Sequence, residues 1–199
     1  MISNESGNTV IEIGTTGKQV RDAEELRLAE FRRDYAGRCG LNEMQVGTME
    51  HMEFFSAPAS TKYHGNYPGG LYDHSKAVTN NLVMLTEKLG LEWKLERSPY
   101  IVGMLHDLCK CGLYRLDERK GTYEFKEGLV LPGHGERSVI MAQQMGIELT
   151  NEEVLCIRWH MGAFDEKAMW DYYGRAIQKA PNVLWTHTAD MMAAKIDGV

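Results

Sequence analysis

Positive charge is in short supply in this chain. It carries 22 Lys and Arg against 28 Asp and Glu, a formal net charge of −6. Such a chain has no general electrostatic pull on polyanions, so a long nucleic acid is disfavoured as a partner. The basic groups that occur are Arg27, Arg32, Arg33 and Arg38, then Arg115, Arg119 and Lys120; they read as a solvated helix face and a solvated hairpin. Cysteine is scarce as well. The 4 present, at 39, 109, 111 and 156, show no disulfide framework. Cys109 and Cys111 form a C-x-C, the wrong spacing for a typical zinc knuckle. No apolar run approaches the length of a membrane span. The opening Met1-Ile2-Ser3-Asn4-Glu5 lacks the basic and apolar segments of a signal peptide, so a cytoplasmic protein is expected, with no membrane partner. No internal repeat or low-complexity tract is visible.

What is present is an ordinary globular composition, 43% hydrophobic and 25% charged over 199 residues. That length favours one domain with a real core. Residues 1–20 form a polar leader, in which Val10-Ile11-Glu12-Ile13 reads as a short strand or as part of a mobile segment. Residues 21–199 read as a single domain. Helices are expected over Asp22 to Arg38 and from an Asn42 cap to about Phe55. Another carries Val78, Leu82, Leu85 and Leu89 on one stripe and ends at Gly90. Ser98-Pro99 opens a helix as cap and first-turn proline, and that helix runs to Cys109. Arg119-Lys120-Gly121 separates two strand-like runs, a hairpin between Leu113 and Phe125. Helices follow over Glu136 to Met145, then after a Thr150-Asn151-Glu152-Glu153 capping box with His160 late on it. Asp165 to Lys179 and Asn182 to Ile196 complete the set. The expected fold is all-α with a small β-hairpin insertion.

Five of the seven histidines, with two aspartates, fall in a telling order. They are His74, the doublet His106-Asp107, His134, His160, and the pair His187 and Asp190. Neutral imidazoles with carboxylates suit Mn, Fe, Co, Ni or Zn. Six ligands are too many for one tetrahedral structural zinc. They suit two ions sharing a bridging carboxylate, an arrangement that activates water for phosphate chemistry. A lone buried His-Asp pair would be read as a hydrogen-bonded core pair, and it is the ordered set that argues for metal.

These residues carry a family resemblance. The order H…HD…H…H…D resembles the HD superfamily of metal-dependent phosphohydrolases. The contexts are similar too: Gly69 to Ser75 around the first histidine, Met104-Leu105-His106-Asp107-Leu108-Cys109-Lys110 around the doublet, and Gly133-His134-Gly135-Glu136-Arg137-Ser138. The stretch from Ala57 to His74 is similar to the HD modules of bacterial 3′–5′ exoribonucleases and of plasmid and phage proteins. The resemblance covers about residues 43–196 and implies an HD-domain helical bundle.

It also implies roles. His74, His106, Asp107 and Asp190 would hold one divalent ion, and Asp107 would bridge to a second held by His134 and His160. A metal-activated hydroxide would attack phosphorus. Lys110 would lie near the substrate phosphate and stabilise charge, with Asp107 and Lys110 as the catalytic pair. The usual small residue before that lysine is Cys109 here. Arg137 and Ser138, early in a helix, are placed to hold a phosphate. His187, three residues before Asp190, would orient a ligand or touch substrate. His64 matches a position that is often a double histidine in the exonuclease modules, with Gly65 replacing the second. The implied activity is hydrolysis of a nucleotide or another small phosphate ester. Two alternatives use the same ligands: a di-iron oxygenase of the HD fold, and an HD nuclease acting on short oligonucleotides.

Overall fold

The computed structural model describes residues 2–3, 9–10, 17–117, 119–126 and 133–199. Two short strands, β1 (Ile2–Ser3) and β2 (Thr9–Val10), pair antiparallel. The helices follow: α1 (Gly17–Phe31), α2 (Gly37–Cys39), α3 (Glu43–His51), α4 (Gly70–Leu89) and α5 (Ser98–Leu105). Next come the hairpin strands β3 (Tyr114–Asp117) and β4 (Thr122–Phe125), and then α6 (His134–Gln144), α7 (Asn151–Arg158), α8 (Trp170–Lys179) and α9 (Asn182–Met192). The fold is all-α with a small β-hairpin, as the periodicities predict. Of the strand expected over Val10 to Ile13, residues 11–13 lie outside the described residues.

Capping chemistry fixes several ends where the sequence puts them. Asn42 accepts the Gln45 N–H, and the Gln45 side chain accepts the Asn42 N–H, each at 3.0 Å. Thr150 and Glu153 form the same reciprocal box ahead of α7. Gly90 closes α4 with φ 64°.

Other ends differ. α1 begins at Gly17 and continues through a π-helical turn, Arg32–Ala36, into α2. α3 stops at His51, because Glu53 turns left-handed (φ 67°) and Phe54 N–H bonds back to the Met49 carbonyl. That turn delivers Phe54 and Phe55 into the core against Phe31 and Tyr72. Ser98 is not the cap of α5 but its first residue, and its hydroxyl donates to Glu153. Arg27 is not on a solvated face: it is buried and grips Asp73 through two hydrogen bonds, at 3.1 and 2.9 Å. The remaining arginines and lysine of both basic groups are exposed.

Two boundaries bear on the candidate site. α5 ends at Leu105, ahead of the His106-Asp107 doublet, where the sequence suggests a helix through Cys109. Asp107 has φ −108° and ψ 20°, outside the helical basin, and a 3₁₀ turn follows over Leu108–Lys110. α7 ends at Arg158, so His160 lies beyond the helix rather than late on it.

Close backbone approach then brings these ends together. A Cβ on Gly103 of α5 would sit 2.5 Å from Thr79 Oγ1 of α4. A Cβ on Gly135 of α6 would sit 2.1 Å from the Arg158 carbonyl oxygen at the end of α7. Only glycine permits either contact. The first draws His74 of α4 and His106 together, and the second draws His134 and His160 into neighbouring positions. No helix among the described residues is long and apolar enough to cross a membrane.

Candidate metal centre

Three imidazoles are locked by the main chain. His106 Nδ1 lies 2.7 Å from the Gly103 carbonyl, and His160 Nδ1 lies 2.7 Å from that of Ile157. Each ring folds back on a carbonyl three residues earlier, at a helix end where carbonyls lack an intrahelical donor. His74 Nδ1 meets the Val199 main-chain oxygen at 2.9 Å. A carbonyl oxygen only accepts, so each Nδ1 carries a proton and donates it. In the neutral ring the lone pair is then left on Nε2.

Those lone pairs converge. His74 Nε2 and His106 Nε2 are 3.3 Å apart. Asp190 Oδ1 lies 3.2 Å from His74 Nε2, and Asp107 Oδ2 lies 3.3 Å from His106 Nε2 and 3.7 Å from His74 Nε2. One donor atom from each of His74, His106 and Asp190 falls within 4.8 Å of the others, a grouping able to hold a metal ion. Asp107 faces two ways. Its Oδ2 looks to His74, His106 and Lys110, while Oδ1 lies 3.5 Å from His160 Nε2. Asp107 Oδ1 and His160 Nε2 are both buried with no hydrogen-bond partner among the described residues. Buried polar atoms are seldom left so. Facing lone pairs and carboxylates repel one another unless positive charge stands between them, so the donor set fits a bound cation.

Electrostatics agree. Burial pushes the Asp107 carboxyl up, yet the Lys110 ammonium and His106 hold it well below the usual carboxylate range. Burial acts likewise on Asp190, and the adjacent His74, with His106 nearby, carries it well below that range. Both are ionised, as ligands must be. Lys110 Nζ sits 2.6 Å from Asp107 Oδ2. Burial works against its charge, but Asp107 holds it above the ordinary lysine range.

The other expected residues take various places. His134, the first residue of α6, is half-buried and outside the His74–His106–Asp190 grouping. Burial lowers its pKa, countered by Asp107, and its Nδ1 lies 3.6 Å from Cys109 Sγ. Burial keeps that thiol protonated, pushed up to about 12. Ser138 is fully buried and accepts the Cys109 N–H at 3.1 Å, so it pins the turn after the doublet. Arg137 Nη2 donates to the Cys109 carbonyl at 3.1 Å. His187 Nδ1 meets the His160 carbonyl at 2.7 Å, tying α9 to the segment after α7.

Two features escape the sequence pattern. His64 lays its ring 4.9 Å from that of His74, in a loop fastened by Ala59 N–H to Gly65 O and Gly69 N–H to Ser56 O. Burial, then His74 and Lys110, lower its pKa to about 4, so it is neutral near pH 7. Its match to the double-histidine position of the exonuclease modules was the one available signal, and Gly65 in place of the second histidine weakened it. Val199 is the second: nothing in its residue type marks a main-chain oxygen that orients His74. The rings form a row from His64 through His74 and His106 to His160, with centroid spacings of 4.9, 5.2 and 5.0 Å. No family model matches the chain, and comparison with curated proteins and with solved structures returns no match.

Proposed function

We propose that this protein is a metal-dependent phosphohydrolase of the HD type, acting on a nucleotide or another small phosphate ester. The observation that carries the reading is the convergence of main-chain-locked Nε2 atoms on Asp107 and Asp190, with Asp107 Oδ1 and His160 Nε2 lacking partners. His74, His106, Asp107 and Asp190 would hold one divalent ion. Asp107 Oδ1, His160 and His134 would serve a second. A divalent ion supplies Lewis acidity there and lowers the pKa of a water in its coordination sphere. Mn, Fe, Co, Ni and Zn suit this mixture of nitrogen and oxygen donors.

The chain's own residues do the rest. Asp107 presents its two oxygens to two sides, which suits a bridge. Lys110 brings a partly buried ammonium to Asp107, where it can meet an equatorial phosphate oxygen and offset charge built up in the transition state. Arg137 spends one N–H on the Cys109 carbonyl and keeps others for a phosphate. Ser138 and Cys109 fix the turn that sets the distance between Asp107 and α6. This machinery neutralises one or two phosphates and offers no track for a long backbone.

The test is a screen of the purified protein for phosphate release from nucleotides and simple phosphate esters, with Mn, Fe, Co, Ni, Zn and Mg, beside metal analysis. Two ions per chain and turnover lost in Asp107→Ala are expected. His134→Ala and His160→Ala should lower the ion count by one. Full metal content in Asp107→Ala would remove the assignment. Two irons with oxygen consumption and no phosphate release would make it an oxygenase, and tight, steeply salt-dependent inhibition by single-stranded RNA without turnover of mononucleotides would make it a nuclease.

A further inference from the structure

At the far end of the row of rings the structure carries a second feature. His187 donates Nδ1–H to the His160 carbonyl at 2.7 Å. The carbonyl cannot donate, so in the neutral ring Nε2 is a bare acceptor, and no described group hydrogen-bonds to it. The ring is held on several sides. A Cβ on Gly162 would sit 2.7 Å from the His187 ring, so the backbone packs directly on it. Tyr173 stands edge-on, with centroids 6.2 Å apart at 75°. The Phe164 ring lies 6.2 Å away, tilted by 52°.

Phe164 itself is 66% exposed, yet its loop is firmly tied. Arg158 Nη1 bonds Asp165 Oδ2 at 2.7 Å, Trp170 Nε1 donates to the Asp165 carbonyl at 3.2 Å, and Phe164 N–H bonds the Met161 carbonyl. A large apolar ring is thus presented to solvent on a fixed support. It lies one imidazole away from His160, whose Nε2 looks onto Asp107. A rigid exposed aromatic face beside a fixed acceptor suits a ligand with a planar ring joined to a hydroxylated segment.

We propose that Phe164 and His187 form a nucleoside subsite: the base stacks on Phe164 and a ribose hydroxyl donates to His187 Nε2, with the phosphate toward Asp107 and Lys110. The placement of the phosphate rests on the phosphohydrolase reading, whereas the stacking does not. Base–aromatic stacking commonly changes affinity by about tenfold or more, and it tolerates any base because every base has a π-face. The subsite therefore selects nucleotides over base-free sugar phosphates while discriminating little among bases.

The experiment uses the full chain with Mn²⁺ and three probes: adenosine 5′-monophosphate, ribose 5-phosphate and adenosine. Binding is read by calorimetry and turnover by phosphate release. Because Phe164 is exposed, Phe164→Ala should keep the wild-type circular dichroism. It should weaken binding of the monophosphate and of adenosine about tenfold, with a much smaller change for ribose 5-phosphate, and Phe164→Trp should restore both. Equal handling of the monophosphate and ribose 5-phosphate by the wild type, with no adenosine binding, overturns the subsite and leaves the hydrolase standing. Phe164-dependent adenosine binding without release of phosphate from any ester supports the subsite and overturns the hydrolase. Failure to bind any of the probes overturns the subsite, and the hydrolase reading then falls only if the wider screen of esters also shows no phosphate release.

Discussion

Two buried polar clusters in this molecule make opposite use of charge. At the α5–α7 contact, Glu153 is fully buried and fully answered. It accepts Arg97 Nε and Nη2 at 3.2 Å each, the Ser98 hydroxyl at 2.9 Å and the Thr150 N–H at 2.7 Å. Around Asp107, about as deeply buried, two nitrogen atoms face each other across 3.3 Å, and Asp107 Oδ1 and His160 Nε2 have no hydrogen-bond partner among the described residues. A satisfied cluster of this kind fastens helices. A cluster of unanswered donor atoms, held in place by main-chain bonds, is arranged so that it could hold an ion. Burial alone does not separate the two; the hydrogen-bond accounting does.

The sharpest way to break the comparison is to remove the shared carboxylate. Asp107→Ala should abolish turnover and empty the site, as read by metal analysis. Chelation should lower the melting temperature of the wild type and leave that of the variant unmoved, because an ion that binds only the folded state stabilises it by about 3–4 kcal/mol at 100 to 1,000 times its Kd. Equal shifts in both proteins would mean that no ion is held by Asp107. Glu153→Ala is the counterpart in the other cluster. It strands the Ser98 hydroxyl and the Thr150 amide and unpairs Arg97, so unfolding in urea should show a loss of about 3 kcal/mol. Metal content should stay unchanged, and a changed ion count would show that the two clusters are not independent.

Smaller effects sharpen the contrast. Lys110→Ala should retain its metals and lose rate by about 10², equivalent to about 2.7 kcal/mol in the barrier. Wild-type turnover in that variant, on every active substrate, would take Lys110 out of the mechanism. The least perturbation is Ser98→Ala, which removes one of the several donors to Glu153. Denaturant midpoints should reveal a cost of about 1 kcal/mol with no effect on metal or rate. A loss as large as that from Glu153→Ala would mean that the hydroxyl, and not Arg97, carries the cluster.

Much of the fold was legible because its signals are local. The capping boxes at Asn42 and Thr150, the stripe on α4 and the Gly90 stop all act within a turn or two, and the helices follow them. The misplaced ends have non-local causes. α3 is cut short by a left-handed Glu53 that no turn rule for glutamate foresees. α5 yields before the doublet, where His106 and Asp107 turn toward partners on other helices. At the site, residue order foretold that His74, His106 and Asp190 gather. It did not tell that His64 would stack on His74, since that contact depends on how a loop is fastened. Nor did it separate Ser138, fully buried against the Cys109 N–H, from Arg137 beside it, which stays partly exposed.

The bonds from His106 to Gly103 and from His160 to Ile157 have a consequence for how such a site changes over generations. An orienting side chain can be lost to a single point mutation, whereas a carbonyl oxygen is present whatever residue stands there. The aim of the His160 ring is therefore insulated from the identity of residue 157, whereas that of His106 still hangs on Gly103, where a Cβ would strike Thr79. Drift, or a laboratory selection for another metal, must instead work through the side chains that can be exchanged: the two carboxylates, and the thiol beside His134.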